Sequence, residues 1–125
     1  MSNRSILVVD DQSYVCRMFS LIITSRFGDI KVDFAYSSKE AIEKVELSNY
    51  DLVFLDVRLG EVFMDGVGIL RFIKNIKPEQ KVCIITGYEV EKEKIKTIKD
   101  EAVALLYKPF KVNEVLEIMD KYIAV

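Results

Sequence analysis

The stretch Asp51-Leu52-Val53-Phe54-Leu55-Asp56 decides how the rest of the chain is read. Four consecutive apolar residues between two carboxylates fit a strand covered on both faces, as strands of a parallel sheet are. An acid that ends such a strand stands at the carboxyl edge of the sheet, where open α/β sheets bind their ligands. Asp56 is therefore the first candidate for chemistry.

Outward from this stretch the pattern repeats. Ser5–Val9 is a short β-branched run that ends in Asp10 and Asp11. Ser13 is placed to cap a helix carrying Val15, Met18, Phe19, Ile22, Ile23 and Phe27 at helical spacing until Gly28. Residues 31–36 alternate as a weaker strand nearer an edge. Ser37 and Glu40 form a capping box for a second helix to about Ser48, with Ala41, Ile42 and Val45 inward. Beyond Asp56 lies the loop 57–66, and Gly66 opens a third helix with Val67, Ile69, Leu70, Phe72 and Ile73 on one face, broken at Pro78. Residues 81–86 form a fourth strand ending in Thr86. Residues 88–100 form a Glu- and Lys-rich helix with the thin stripe Val90, Ile95 and Ile98, expected to be exposed and loosely held. Residues 102–107 form a fifth strand followed by Lys108-Pro109, and Val112, Val115, Leu116, Met119 and Ile123 line a last helix.

Strand and helix in alternation imply an α/β fold: a doubly wound, five-stranded parallel sheet with five helices on its two faces, in the common order 2-1-3-4-5. That order puts the switch point between the first and third strands, and these end in Asp10-Asp11 and Asp56. The 125 residues, half of them hydrophobic, suffice for a single domain spanning 1–125. With 18 basic and 20 acidic residues and no block of like charge, nothing points to a nucleic-acid or membrane surface. Cys16 and Cys83 fall in apolar patterns and read as buried free thiols, and the N-terminus lacks a signal-like segment, so a cytoplasmic protein is expected.

Three carboxylates converging on one crevice need a cation or a proton. Oxygen donors of this kind suit Mg2+. Thr86 and Lys108 add a hydroxyl and an ammonium at the same edge, groups that bind phosphoryl oxygens, and the set matches phosphoryl transfer to a carboxylate. Taken singly, Asp10-Asp11 would be a solvated turn, Thr86 a strand residue and Lys108 a surface charge. Their joint placement at four strand ends reverses that reading.

Asp10-Asp11, Asp56, Met64-Asp65-Gly66, Thr86-Gly87 and Lys108-Pro109-Phe110, in this order, resemble the receiver domain of bacterial two-component response regulators, the CheY-like group with a flavodoxin-like fold. The resemblance implies that Asp56 accepts a phosphoryl group from a sensor histidine kinase or a histidine phosphotransfer protein. It implies that Asp10, Asp11, Asp56 and the Arg58 carbonyl hold Mg2+, that Lys108 pairs with the phosphoryl group and that the Thr86 hydroxyl turns toward it. It also implies a cis Lys108-Pro109 bond and a downstream protein docked on the face of the fourth helix, fifth strand and fifth helix, with chemistry limited to self-phosphorylation and autodephosphorylation.

Three departures from the family pattern stand out: Gly60 stands where a proline is usual, in a loop two residues longer; Leu105 stands where an aromatic is usual; and Arg58 and Tyr88, two after Asp56 and two after Thr86, are bulky at positions that flank the phosphoryl group in the family and are expected to restrict water. Two other readings fit less well. A phosphatase of the haloacid dehalogenase type would need an acid where Arg58 stands, and a receiver-like interaction module would not need the full acid, threonine and lysine set. If 125 residues are the whole product, a stand-alone receiver is expected.

Overall fold

The protein, here a computed structural model, is described over residues 4–57, 66–87 and 92–123. Along the chain lie β1 (Ser5–Val9), α1 (Ser13–Arg26), β2 (Lys31–Ala35), α2 (Ser38–Leu47), β3 (Leu52–Asp56), α3 (Gly66–Ile76), β4 (Val82–Thr86), α4 (Lys92–Glu101), β5 (Ala104–Tyr107) and α5 (Val112–Tyr122). The strands form one sheet in the order β2-β1-β3-β4-β5, every neighbouring pair parallel.

Every residue of β3 and of β4 is buried, as their unbroken apolar runs require of strands covered on both sides. Alternate residues serve opposite faces. Leu7, Val9, Val53, Leu55, Val82 and Ile84 pack with Ala41 and Val45 of α2, Ile69, Leu70 and Ile73 of α3 and Ile98 of α4. Ile6, Val8, Leu52, Phe54, Cys83 and Ile85 pack with Val15, Phe19, Ile22 and Ile23 of α1 and Val115 and Met119 of α5. Each fully buried Leu, Ile or Phe contributes about 1.5–3 kcal/mol, so the two layers together hold the strand ends in register.

The amino end of the sheet is closed by lysines. There α2 and α3 end, and a helix C-terminus leaves carbonyls without intrahelical partners and carries a partial negative charge. Lys77 Nζ donates to the carbonyls of Val45 and Ser48 and to Asn49 Oδ1. Lys74 donates to Gln80 O and Lys81 to Tyr122 O.

Several local expectations change. Gln12, not Ser13, is the N-cap of α1, with no side-chain cap bond, and Ser13 is the first helical residue. The turn is made instead by Asp10, whose Oδ1 accepts from the Gln12 N–H at 2.9 Å. Ser37 does cap α2, its hydroxyl accepting from the Glu40 N–H at 3.2 Å, while the Glu40 carboxylate accepts from Tyr36 N. α1 ends at Arg26, before Gly28. β5 begins at Ala104, two residues late, because the Ala102 N–H still bonds to Ile98 O and belongs to the end of α4. Met18 and Val112 point outward, 39% and 55% exposed. Ile98 is the buried anchor of α4 with Ile95 half-buried, while Val90 lies outside the described residues. Among the described residues, no helix is long and apolar enough to cross a membrane.

Candidate functional site: an acid pocket at the carboxyl edge

Register builds the site. Val9 pairs with Leu55, so Asp10 emerges from β1 beside Asp56 at the end of β3, and Asp56 in turn pairs with Ile85, one residue before Thr86. Thr86 pairs with Tyr107, which sets Lys108 just beyond β5. The Lys108 N–H donates to Thr86 O at 2.8 Å, and the Lys108-Pro109 peptide bond is cis. Beneath the pocket, Phe19 of α1 touches Phe54 and Phe110, with ring centroids 4.8 and 4.9 Å apart. This trio ties the residues two before Asp56 and two after Lys108 to the same helix.

One carboxylate oxygen from each of Asp10, Asp11 and Asp56 lies within 4.8 Å of the others. Asp10 is fully buried, Asp56 nearly so, and Asp11 faces solvent. Lys108 Nζ reaches between the two buried acids and donates to Asp10 Oδ2 and to Asp56 Oδ2, each at 3.1 Å. Burial works to lower the Lys108 pKa, but Asp56 and then Asp10 outweigh it and hold the ammonium above the ordinary lysine value. Partial desolvation and the neighbouring Asp10 charge raise the Asp11 carboxyl above its usual value, opposed by Lys108. Thr86 is buried and its Oγ1 donates to Gly87 O at 2.9 Å. The pocket thus gathers five of the site residues expected from sequence: Asp10, Asp11, Asp56, Thr86 and Lys108.

Arg58, Gly60, Met64, Asp65 and Tyr88 fall outside the described residues. Leu105, the departure from an aromatic, is partly buried against the core on the side of α2, α3 and α4, and Tyr107 is half-exposed. Cys16 is one contributor that composition alone did not mark. It is a buried thiol whose sulfur lies 3.6 Å from Asp10 O, and burial followed by the Asp10 charge pushes it up to about 12. Cys83, expected to be a core thiol, is buried and free as well.

Three acids against one ammonium leave a net negative pocket of oxygen donors at the switch point of a doubly wound sheet. Residues 6–120 match the family model described as the response regulator receiver domain, and the chain belongs to that family. It is 33% identical over 122 residues to the transcriptional regulatory protein ZraR of Escherichia coli K12, covering 98% of this chain and 27% of that protein. It is 28% identical to the chemotaxis protein CheY of Thermotoga maritima, covering 94% of this chain and 96% of that one. The chain therefore spans about a quarter of the ZraR relatives and nearly all of CheY. The crystal structure of a CheY-like receiver domain from Methanospirillum hungatei superposes with a TM-score of 0.85 at 26% identity, covering 96% of this chain and 93% of that one. The receiver domain of NtrX from Brucella abortus superposes at 0.81 and 26%, covering 94% and 96%. The class is that of receivers in two-component signalling.

Proposed function

We propose that Asp56 is the phosphoryl acceptor of this receiver. The observation that carries the reading is the Lys108 ammonium held 3.1 Å from both buried acids, a cation stationed where phosphoryl oxygens would come to lie. An Asp56 carboxylate oxygen forms the new bond to phosphorus as the bond to the donor breaks, a P–N bond in a phosphohistidine or a P–O bond in acetyl phosphate. The donor leaving group departs with its electron pair, and an acyl phosphate remains on Asp56. Lys108 then exchanges a carboxylate partner for a phosphoryl oxygen, and the Thr86 hydroxyl turns from Gly87 O toward the new group.

The donor chemistry of the pocket fits Mg2+: hard oxygen ligands, few enough to leave room for water and phosphate oxygens. Asp10, Asp11, Asp56 and the Arg58 carbonyl would hold the ion, which when bound supplies positive charge to the phosphoryl oxygens. Arg58 stands two residues after Asp56 and Tyr88 two after Thr86, positions that flank the phosphoryl group in the family, and their bulk would slow water's access to the acyl phosphate.

The chain contains no histidine, so the phosphohistidine belongs to a partner, a sensor histidine kinase or a histidine phosphotransfer protein. The output is a docking surface on α4, β5 and α5 that meets a downstream protein in the cytoplasm, and the chemistry is confined to the domain's own phosphorylation and dephosphorylation. α4 suits a moving element, since its described core contact is Ile98, and switching elements come from the weakly held parts of a fold.

Incubation with acetyl phosphate and Mg2+ followed by intact mass measurement tests the reading. A gain of one phosphoryl group that needs Mg2+ and is absent from Asp56→Asn supports it. No gain in the wild type, under conditions where Mg2+ binds, favours the interaction module.

A further inference from the structure

Asp10 is fully buried, and three hydrogen bonds fix its backbone and its turn. Its N–H donates to Ala35 O at 3.1 Å, its Oδ1 accepts from Gln12 N, and its carbonyl faces the Cys16 sulfur at 3.6 Å. The same sulfur lies 3.9 Å from Val8 O. Among the described residues, no other donor reaches the Asp10 carbonyl. A buried backbone carbonyl normally has a partner. Here the partner is an S–H, a weak donor but a real one.

We propose that Cys16 is a positioning residue for the acid pocket: its thiol, presented by the first turn of α1, holds the Asp10 carbonyl and so sets where the Asp10 carboxylate meets Lys108 and Asp56. The neighbouring bonds support this. Asp10 lies one residue beyond β1, its N–H still tied to Ala35 O of β2 and its Oδ1 to the Gln12 N–H at the start of α1, and the thiol ties its carbonyl to the first turn of that helix. Cys83 offers the contrast. It is equally buried, but its sulfur contact is to the carbonyl of the next residue, Ile84, at 3.9 Å, in the middle of a strand and away from the acids.

The inference rests on Asp10 being a cation ligand, as proposed above. Mg2+ binding by titration calorimetry on the full chain tests it. Cys16→Val keeps an apolar side chain and removes the donor, and Cys83→Ala serves as the packing control. Cys16→Val is expected to bind Mg2+ about threefold or more weakly with unchanged far-ultraviolet circular dichroism, and Cys83→Ala within about 1.5-fold of wild type. Wild-type affinity in Cys16→Val, or equal weakening in Cys83→Ala, overturns the proposal.

A second readout leaves Cys16 intact. Mg2+ should shift one of the two infrared S–H bands of the wild type, and that band should persist in Cys83→Ala. Two unmoved bands overturn the proposal. A wild type that binds no Mg2+ overturns the cation-site reading itself, whereas wild-type binding with an unaffected Cys16→Val overturns only the role of the thiol.

Discussion

Asp56→Asn should make this domain more stable in the absence of divalent cations. Among the described residues, Asp56 faces an attraction to Lys108 at 3.1 Å and two repulsions, from Asp10 and Asp11 at 4.8 Å or less. At an effective dielectric of about 20 the attraction is worth roughly 5 kcal/mol and each repulsion roughly 3.5 kcal/mol or more. The repulsions therefore exceed the attraction by about 1.5 kcal/mol, and removing a charge that is almost wholly buried acts in the same direction. Urea unfolding at pH 7 in EDTA should show the variant more stable by about 2 kcal/mol. Saturating Mg2+ should narrow the gap, because an ion bound to the folded wild type stabilises it by mass action. A variant equal to or less stable than wild type in EDTA would refute the view that the acids are held together against their mutual repulsion.

The other charges give further tests. Lys108→Met leaves Asp10 and Asp56 buried without their counter-charge and should lose about 3 kcal/mol in urea unfolding at pH 7 without Mg2+. Because the folded Lys108 pKa is raised, its contribution is complete below the ordinary lysine value and fades as pH climbs past the raised one. Lys108→Met should therefore lack that alkaline arm of the stability curve. The raised Asp11 carboxyl works in the opposite sense: the folded state binds its proton more readily than the unfolded chain, so stability rises as pH falls through the raised value toward 3.8, and Asp11→Asn should flatten that rise. Lys77→Met strips donors from the Val45 and Ser48 carbonyls and from Asn49 and should cost about 2 kcal/mol in urea unfolding, with Mg2+ affinity unchanged since these bonds lie at the far end of the sheet.

The sheet was legible because its central strands are buried on both faces, and an unbroken apolar run such as Leu52–Leu55 has few other homes. The acids, Thr86 and Lys108 were legible because each directly follows or ends such a run, so strand order alone brought them to one edge. What the sequence hid depends on side-chain reach. Nothing in residues 108 or 10 taken separately tells that one ammonium would bridge Asp10 and Asp56 at equal distances. Ser13 looked like a cap because serine usually is one, but the carboxylate of Asp10 had already bonded the Gln12 N–H and settled the turn one residue earlier. The lysines that close the amino edge carried no sequence signal, since their carbonyl partners are distant in sequence: Lys77 and Val45 stand 32 residues apart. Cys16 was legible as core but not as a hydrogen-bond donor to the pocket.

The most direct test of the central claim is to locate the phosphoryl group itself. Borohydride reduces an aspartyl phosphate to homoserine, which marks the modified residue permanently. After treatment with acetyl phosphate and Mg2+, peptide mapping should find homoserine at position 56 and nowhere else. Homoserine at position 10 or 11, or label that survives in Asp56→Asn, would contradict the assignment of Asp56 as acceptor.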